Sequence, residues 1–329
     1  MKISGTWFHR AAVSIAAGLA LMGTAAAQEY PTRQIVVIVP FPAGGSTDIQ
    51  ARLLSEPMRQ ALGQPVVVQN VPGAGSTIGT GKAIQSPPDG YTLIVGNWTS
   101  HVGAGAVYPV KWHPVADLEP IAILATTTLI IAGRTGLPVS NGKELIAWLK
   151  ANSGEATAAT VGTGSGAHIC GIYFEQKTGT RFRYVPYKGG APAMAALLAN
   201  EVDVFCGEAS QMLGHFRAGK IKPLLVMSKS RWRPLAEVLT MEETGASDTY
   251  IAFWQGMWAP KGTPKQVIAK LSEAVAKAFT DPVVIKRLNE LGQELPTREQ
   301  MTPEALAAYH KSEIDKWWPL IKGANLKVE

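Results

Sequence analysis

The residues best suited to chemistry sit in glycine-rich turns, each after an apolar run and before a helical pattern. Pro40-Phe41-Pro42-Ala43-Gly44-Gly45-Ser46-Thr47-Asp48 is the first, and Pro72-Gly73-Ala74-Gly75-Ser76-Thr77 repeats its logic. Gly162-Thr163-Gly164-Ser165-Gly166-Ala167-His168 and Pro186-Tyr187-Lys188-Gly189-Gly190-Ala191-Pro192 do the same in the second half of the chain. Small residues at such turns let backbone N–H groups approach an anion, and the following helix adds the positive end of its dipole. Ser46, Thr47, Thr163 and Ser165 contribute hydroxyl donors. Ser, Thr and Asp are also the usual helix caps, so one such turn alone indicates only a helix start. Their recurrence in both halves favours a cleft that grips an anion between two sets of loops.

Catalytic patterns fail on their own physical requirements. A nucleophile elbow needs glycine two residues before its serine, but Thr163 precedes Ser165 and Ala74 precedes Ser76. In Gly73-Ala74-Gly75-Ser76-Thr77-Ile78-Gly79 the last glycine comes one residue late for a dinucleotide fingerprint, and Gly81-Lys82 lacks the flanks of a P-loop. The six histidines stand apart, without the His-x-x-x-His or Cys-x-x-Cys spacing that holds zinc. The chain therefore reads as a non-enzyme with no cofactor and no metal.

The elements that position these turns follow from hydrophobic period. Residues 34–39, 66–69 and 91–95 are short β-branched runs separated by helical patterns, the mark of parallel β-α-β units in a covered sheet. A second series begins near Leu145, with strands expected at 156–161, 182–185, 202–206 and 224–227. Residues 121–132 and 250–259 are apolar runs longer than an ordinary strand, suited to crossing from one lobe to the other. Helices are expected at 264–279, 282–291 and 303–318, each opened by Thr-Pro or Asp-Pro as a cap followed by an N1 proline.

Composition agrees with two globular lobes: 329 residues, 46% hydrophobic and 17% charged. A weakly basic start, an uncharged apolar stretch at 11–22 and Ala25-Ala26-Ala27 mark residues 1–27 as a cleavable signal peptide. No cysteine lies near that point, so lipid anchoring there is not expected, and the mature protein is placed free in the periplasm. Loss of Lys2 and Arg10 lowers the formal charge from +6 by two, to +4. The basic residues are dispersed, without the run expected of a nucleic-acid arm. Cys170 and Cys206 are either a disulfide, which an oxidising compartment permits, or two buried thiols.

These blocks together resemble the Bug-type receptors of tripartite tricarboxylate transporters. The first loop, Gly63-Gln64-Pro65-Val66-Val67-Val68-Gln69-Asn70, Pro88-Asp89-Gly90-Tyr91-Thr92-Leu93, Val185 to Ala193, Arg217-Ala218-Gly219-Lys220 and Trp254-Gln255-Gly256 come in family order over nearly all of 30–320. The resemblance implies a two-lobed α/β binding protein, each lobe a mostly parallel sheet flanked by helices, with two crossovers between lobes. It implies lobe limits of 28–126 plus 251–329 and 127–250. It further implies a monomer that captures a small di-, tri- or aromatic carboxylate and delivers it to the transporter's membrane components. A periplasmic protein that presents ligand to a signalling receptor would use the same cleft.

By the same resemblance, ligand contacts come from Phe41, Gly45, Ser46, Thr47 and Asp48 on one lobe, with Asp48 mainly a cap. Thr163, Gly164, Ser165, His168, Gly189 and Ala191 supply the other lobe. His168 reads equally as a first-turn residue packed under its loop. Where many family members place an Asp facing the cleft, this chain has Gly207, which disfavours amino acids as ligands. Glu208 next to it reaches the site or is a surface acid. Trp98, in Asn97-Trp98-Thr99, stacks on a flat ligand or packs the lobe surface.

Overall fold

The computed structural model describes residues 30–246, 250–323 and 326. The expected signal peptide lies outside the described residues. In chain order the elements are β1 (Ile35–Val39), α1 (Ser46–Leu62), β2 (Val66–Asn70), α2 (Thr77–Ile84), β3 (Thr92–Asn97) and the short α3 (Ala104–Val107). Then follow β4 (Leu118–Arg134), α4 (Gly142–Ala151), β5 (Thr157–Thr160), α5 (Gly166–Thr178), β6 (Arg183–Pro186) and α6 (Gly190–Leu198). The last are β7 (Val204–Glu208), α7 (Ala209–Arg217), β8 (Ile221–Val226), β9 (Ala252–Pro260), α8 (Lys265–Ala278), α9 (Pro282–Glu290) and α10 (Pro303–Gly323). Among the described residues no helix is long and apolar enough to cross a membrane.

The strands run in the order β2-β1-β3-β9-β4-β7-β5-β6, with β8 also paired to β4. Pairing is parallel at both ends, where β1 joins β2 and β3, and β5 joins β6 and β7. The two long apolar runs are the antiparallel centre. β4 pairs with β9 over Leu118–Thr128, then with β7 and β8 over Leu129–Arg134. One 17-residue strand thus belongs to both halves. Two register shifts against β9, at Pro120/Ala122 and Ile123/Ala125, let it bend from one sheet direction into the other.

Strand β1 is an all-apolar run, buried at four of its five positions, as suits a strand covered on both faces. Three expected helix starts are met differently. Asp281 accepts from the N–H of Val283 ahead of Pro282, and Thr302 accepts from Ala305. Thr263 does not cap: its hydroxyl donates back to the Pro260 carbonyl, and Pro264 itself occupies the cap position. A disulfide joins Cys170 on α5 to Cys206 on β7, pinning that helix to its sheet. Closing 36 residues of chain, it removes roughly 4 kcal/mol of unfolded-state entropy.

Helix α10 is fixed by one buried acid. A single oxygen of Glu313 accepts from the indole N–H groups of Trp98 at 3.1 Å, Trp317 at 3.2 Å and Trp254 at 3.3 Å. The residue is 6% exposed, and burial raises its carboxyl above the ordinary range despite Lys316 and the three donors. Trp98 and Trp317 meet edge to face at 5.4 Å. Removing the acceptor strands three buried donors, each costing about 1–3 kcal/mol. Glu313→Ala is therefore expected to lower unfolding free energy by at least ~3 kcal/mol in a denaturant titration, and Glu313→Gln by clearly less. Equal stability of Glu313→Ala and the parent would refute this anchoring role.

Candidate functional site

The first wall is built where β1 gives way to α1. Gly44 takes φ +84°, a backbone turn that favours glycine, and Gly45 precedes the helix in an extended conformation. Asp48 locks this turn from inside. Its carboxylate accepts from Gly44 N–H at 2.9 Å, Arg52 Nε at 3.0 Å and Asn70 Nδ2 at 2.9 Å, and Asn70 Nδ2 also reaches the Phe41 carbonyl at 3.0 Å. Burial raises the Asp48 carboxyl, but the bonds from Arg52, Gly44 and Asn70 outweigh it and hold the group below its usual value. With the turn fixed, Ser46 and Thr47 face an internal cavity. Thr47 Oγ1 accepts from Asn97 Nδ2 at 3.0 Å, which carries the wall across to the end of β3.

The second wall comes from the β5–β8 half. Val161, Ala167, Gly190, Phe205, Gly207, Glu208 and Gln211 line it, with Leu129 of β4 and Phe253 of β9 at the junction. The halves touch above the cavity: Gly166 N–H donates to Thr99 Oγ1 at 3.0 Å. A methyl group on Gly189 would stand 2.7 Å from Pro42 Cδ, and one on Gly103 would stand 2.1 Å from the Gly164 carbonyl oxygen. The cavity measures about 40 Å³, several times the ~10–15 Å³ one water needs on this measure. A larger groove of about 870 Å³, beside Thr126–Thr128 and Trp232, shares no residue with it and none of the glycine-rich turns. Among the described residues no cluster of metal-ligating side chains occurs.

Five of the residues singled out in the sequence line this cavity together: Phe41, Gly45, Ser46, Thr47 and Glu208. The others do not. Asp48 lies behind the wall as the clasp of its turn. Trp98 is fully buried and points into the Glu313 network, because Asn97 and Thr99 on either side of it take the cavity face. Thr163 is not among the lining residues, Gly164 lies against Val107 and Gly103, and Ser165 Oγ caps α5 by accepting from His168 N–H. His168 sits beneath the loop, its Nδ1 accepting from Gly164 N–H at 3.2 Å and its ring against Tyr184. Burial pushes it down to about 4, so it is neutral near pH 7. In the next turn Gly190 reaches the cavity, while Gly189 contacts Pro42 and Ala191 lies past the wall.

Sequence reasoning missed Asn97, Thr99, Phe205, Gln211 and Phe253 as cavity residues. The alternation of strand side chains offered a signal for Phe205, which precedes Gly207 by two positions in β7. No motif marks Gln211 or Phe253.

Among the described residues, Glu208 is the only ionisable group in the wall. It is half-buried in that wall. Desolvation raises its carboxyl to about 7, against the lowering effect of hydrogen bonds from Ser46 and Gln255; Gln255 Nε2 donates to Oε2 at 3.0 Å. The folded state therefore holds this proton more tightly than the unfolded chain. Stability present below the ordinary value near 4.5 is lost as pH rises through about 7, by roughly 3 kcal/mol. Glu208→Gln is expected to raise the melting temperature at pH 8 and to change it little at pH 4.5. An equal shift at both values would show that Glu208 carries no such burden.

With this geometry in place, the comparisons with known proteins agree among themselves. The family described as "Tripartite tricarboxylate transporter family receptor" matches residues 50–326. Protein BugT of Bordetella pertussis is 34% identical over 305 residues, 92% of this chain and 93% of its own. The periplasmic binding protein BugD superposes with a TM-score of 0.86 at 36% identity, covering 91% of this chain and all of BugD. MatC from Rhodopseudomonas palustris, solved with bound malate, gives 0.85 at 32% identity over 89% of this chain and all of MatC. Its relatives are solute-binding receptors with two lobes, and the α/β arrangement found here is theirs. The chain belongs to the receptor family of the tripartite tricarboxylate transporters.

Proposed function

We propose that this chain captures a small carboxylate in the periplasm and delivers it to the membrane components of a tripartite tricarboxylate transporter. The observation that carries this reading is the cavity formed where the N-terminus of α1 meets the end of β7. Ser46 and Thr47 stand at the positive end of a 17-residue helix, enclosed by loops from both halves. Malate bound to MatC supports a short carboxylate as the ligand. Residues 1–27 act as a cleaved signal peptide, and the mature chain works as a monomer. The lobes are 28–126 plus 251–329 and 127–250, hinged on β4 and β9. Loop contacts between the halves, such as Gly166 N–H to Thr99 Oγ1, support closure of these lobes over the anion, and the ligand shifts that equilibrium.

A thermal-shift screen of residues 28–329 against aliphatic, aromatic and heterocyclic carboxylates tests the reading directly, since a ligand that binds only the folded form raises its melting temperature. At least one carboxylate is expected to do so. Thr47→Val is expected to weaken that ligand about tenfold by calorimetry, the value of one hydrogen bond to a charged group, since Thr47 Oγ1 accepts from Asn97 Nδ2 and keeps its own proton for the anion. Silence across the panel from folded, ligand-free protein, or full affinity in Thr47→Val, would overturn this assignment.

A further inference from the structure

Ser46 serves two groups at once. Its hydroxyl bonds the Glu208 carboxyl, and it opens the helix whose N-terminus is to receive the ligand's anion. The cavity measures about 40 Å³, so a carboxylate seated beside Ser46 and Thr47 also lies within reach of Glu208. Two bare carboxylates in so small a space repel, with little water to screen them. One proton between them turns the repulsion into a charge-assisted hydrogen bond, the Glu208 O–H donating to the ligand. Among the described residues no cation lines the cavity to do this instead. The polar groups that line it or bond Glu208 are Ser46 and Thr47 of α1, Asn97, Thr99, Gln211 of α7 and Gln255 of β9, all uncharged. Asp48 and Arg52, further along α1, bond each other behind the turn, and Lys188, before α6, is exposed and outside the wall. Burial already lifts the free carboxyl to about 7, so its proton exchanges under ordinary conditions.

We propose that Glu208 is a proton site coupled to the carboxylate site, and that the receptor takes up a proton with the carboxylate it captures. The protonated carboxyl is the donor that the anion meets at the end of β7. The proton comes from water or buffer and returns there when the anion leaves. The inference rests on the carboxylate-receptor reading above and adds a second, chemically distinct ligand to the same cavity. Affinity is therefore full well below pH 7 and falls as pH rises through about 7, opposite to what ionisation of the ligand alone would give.

Malate, adipate and benzoate serve as probes, since their carboxyl groups are ionised above about pH 6.5 and so add no proton of their own. Calorimetry on residues 28–329 is expected to show at least one of them binding about tenfold more weakly at pH 8.5 than at pH 6.5. At pH 7.5 the heats in HEPES and in Tris, buffers of different ionisation enthalpy, are expected to report uptake of more than roughly half a proton per ligand. Glu208→Gln keeps a neutral hydrogen-bonding side chain of the same size, and should bind that probe without proton uptake and with one affinity at both pH values. If a probe binds the parent with equal affinity at both pH values and no proton uptake, the inference is overturned, and weaker binding in Thr47→Val leaves the receptor reading standing. A folded Glu208→Gln that keeps the parent's pH dependence overturns it equally. If none of the three probes binds, this inference falls, while the receptor reading falls only with silence across the wider panel.

Discussion

The geometry of the cavity hangs on one buried carboxylate that never touches it. Asp48 gathers the N–H of Gly44, the guanidinium of Arg52 and the amide of Asn70, and so freezes the turn between β1 and α1. Without that clasp the glycines of the turn are free to wander, since Gly44 has no side chain to hold its left-handed backbone. With it, the first two residues of α1 are held toward the opposing half, and Asn97 is fixed through Thr47. The cost of burying a charge is offset by three donors, and the preorganised wall is the return on it.

The rest of the fold supplies a frame in which two such walls meet. β4 belongs to both sheets, so the halves share a backbone rather than merely a linker. Glu313 ties α10 to Trp98 and Trp254, one residue away from Asn97 on β3 and from Gln255 on β9. The disulfide holds α5 against β7, immediately before the two cavity residues Gly207 and Glu208. Each support lies one side chain behind the cavity, where it sets position without contributing polarity.

How far the sequence could be read follows the range of the interactions involved. Strand and helix order was legible because apolar period is a local property. The long runs at 121–132 and 250–259 emerged as the shared central strands for the same reason. Ser46 and Thr47 were legible as cavity residues because they open a helix straight after a strand, and Phe41 and Gly45 through the family resemblance of the loop that carries them. Thr163, Ser165 and His168 share that local grammar, yet their loop folds onto Gly103 and Val107, a contact sixty residues away in the chain. Trp98 left two readings open, and its burial is decided by Glu313, more than two hundred residues downstream. Glu208 was visible as a residue but not as an acid held by neutral partners, since Gln255 lies 47 positions further along the chain.

The indole cluster around Glu313 has an optical consequence. Three of the chain's nine tryptophans share one acceptor oxygen, and the middle of the Asn97-Trp98-Thr99 segment belongs to that cluster while its flanks line the cavity. Any shift of Asn97 or Thr99 that accompanies occupancy changes the field at Trp98, and with it the energy of indole emission. The protein thus carries an intrinsic fluorophore wired to the wall of this cavity, excluded from water and free of any need for a label.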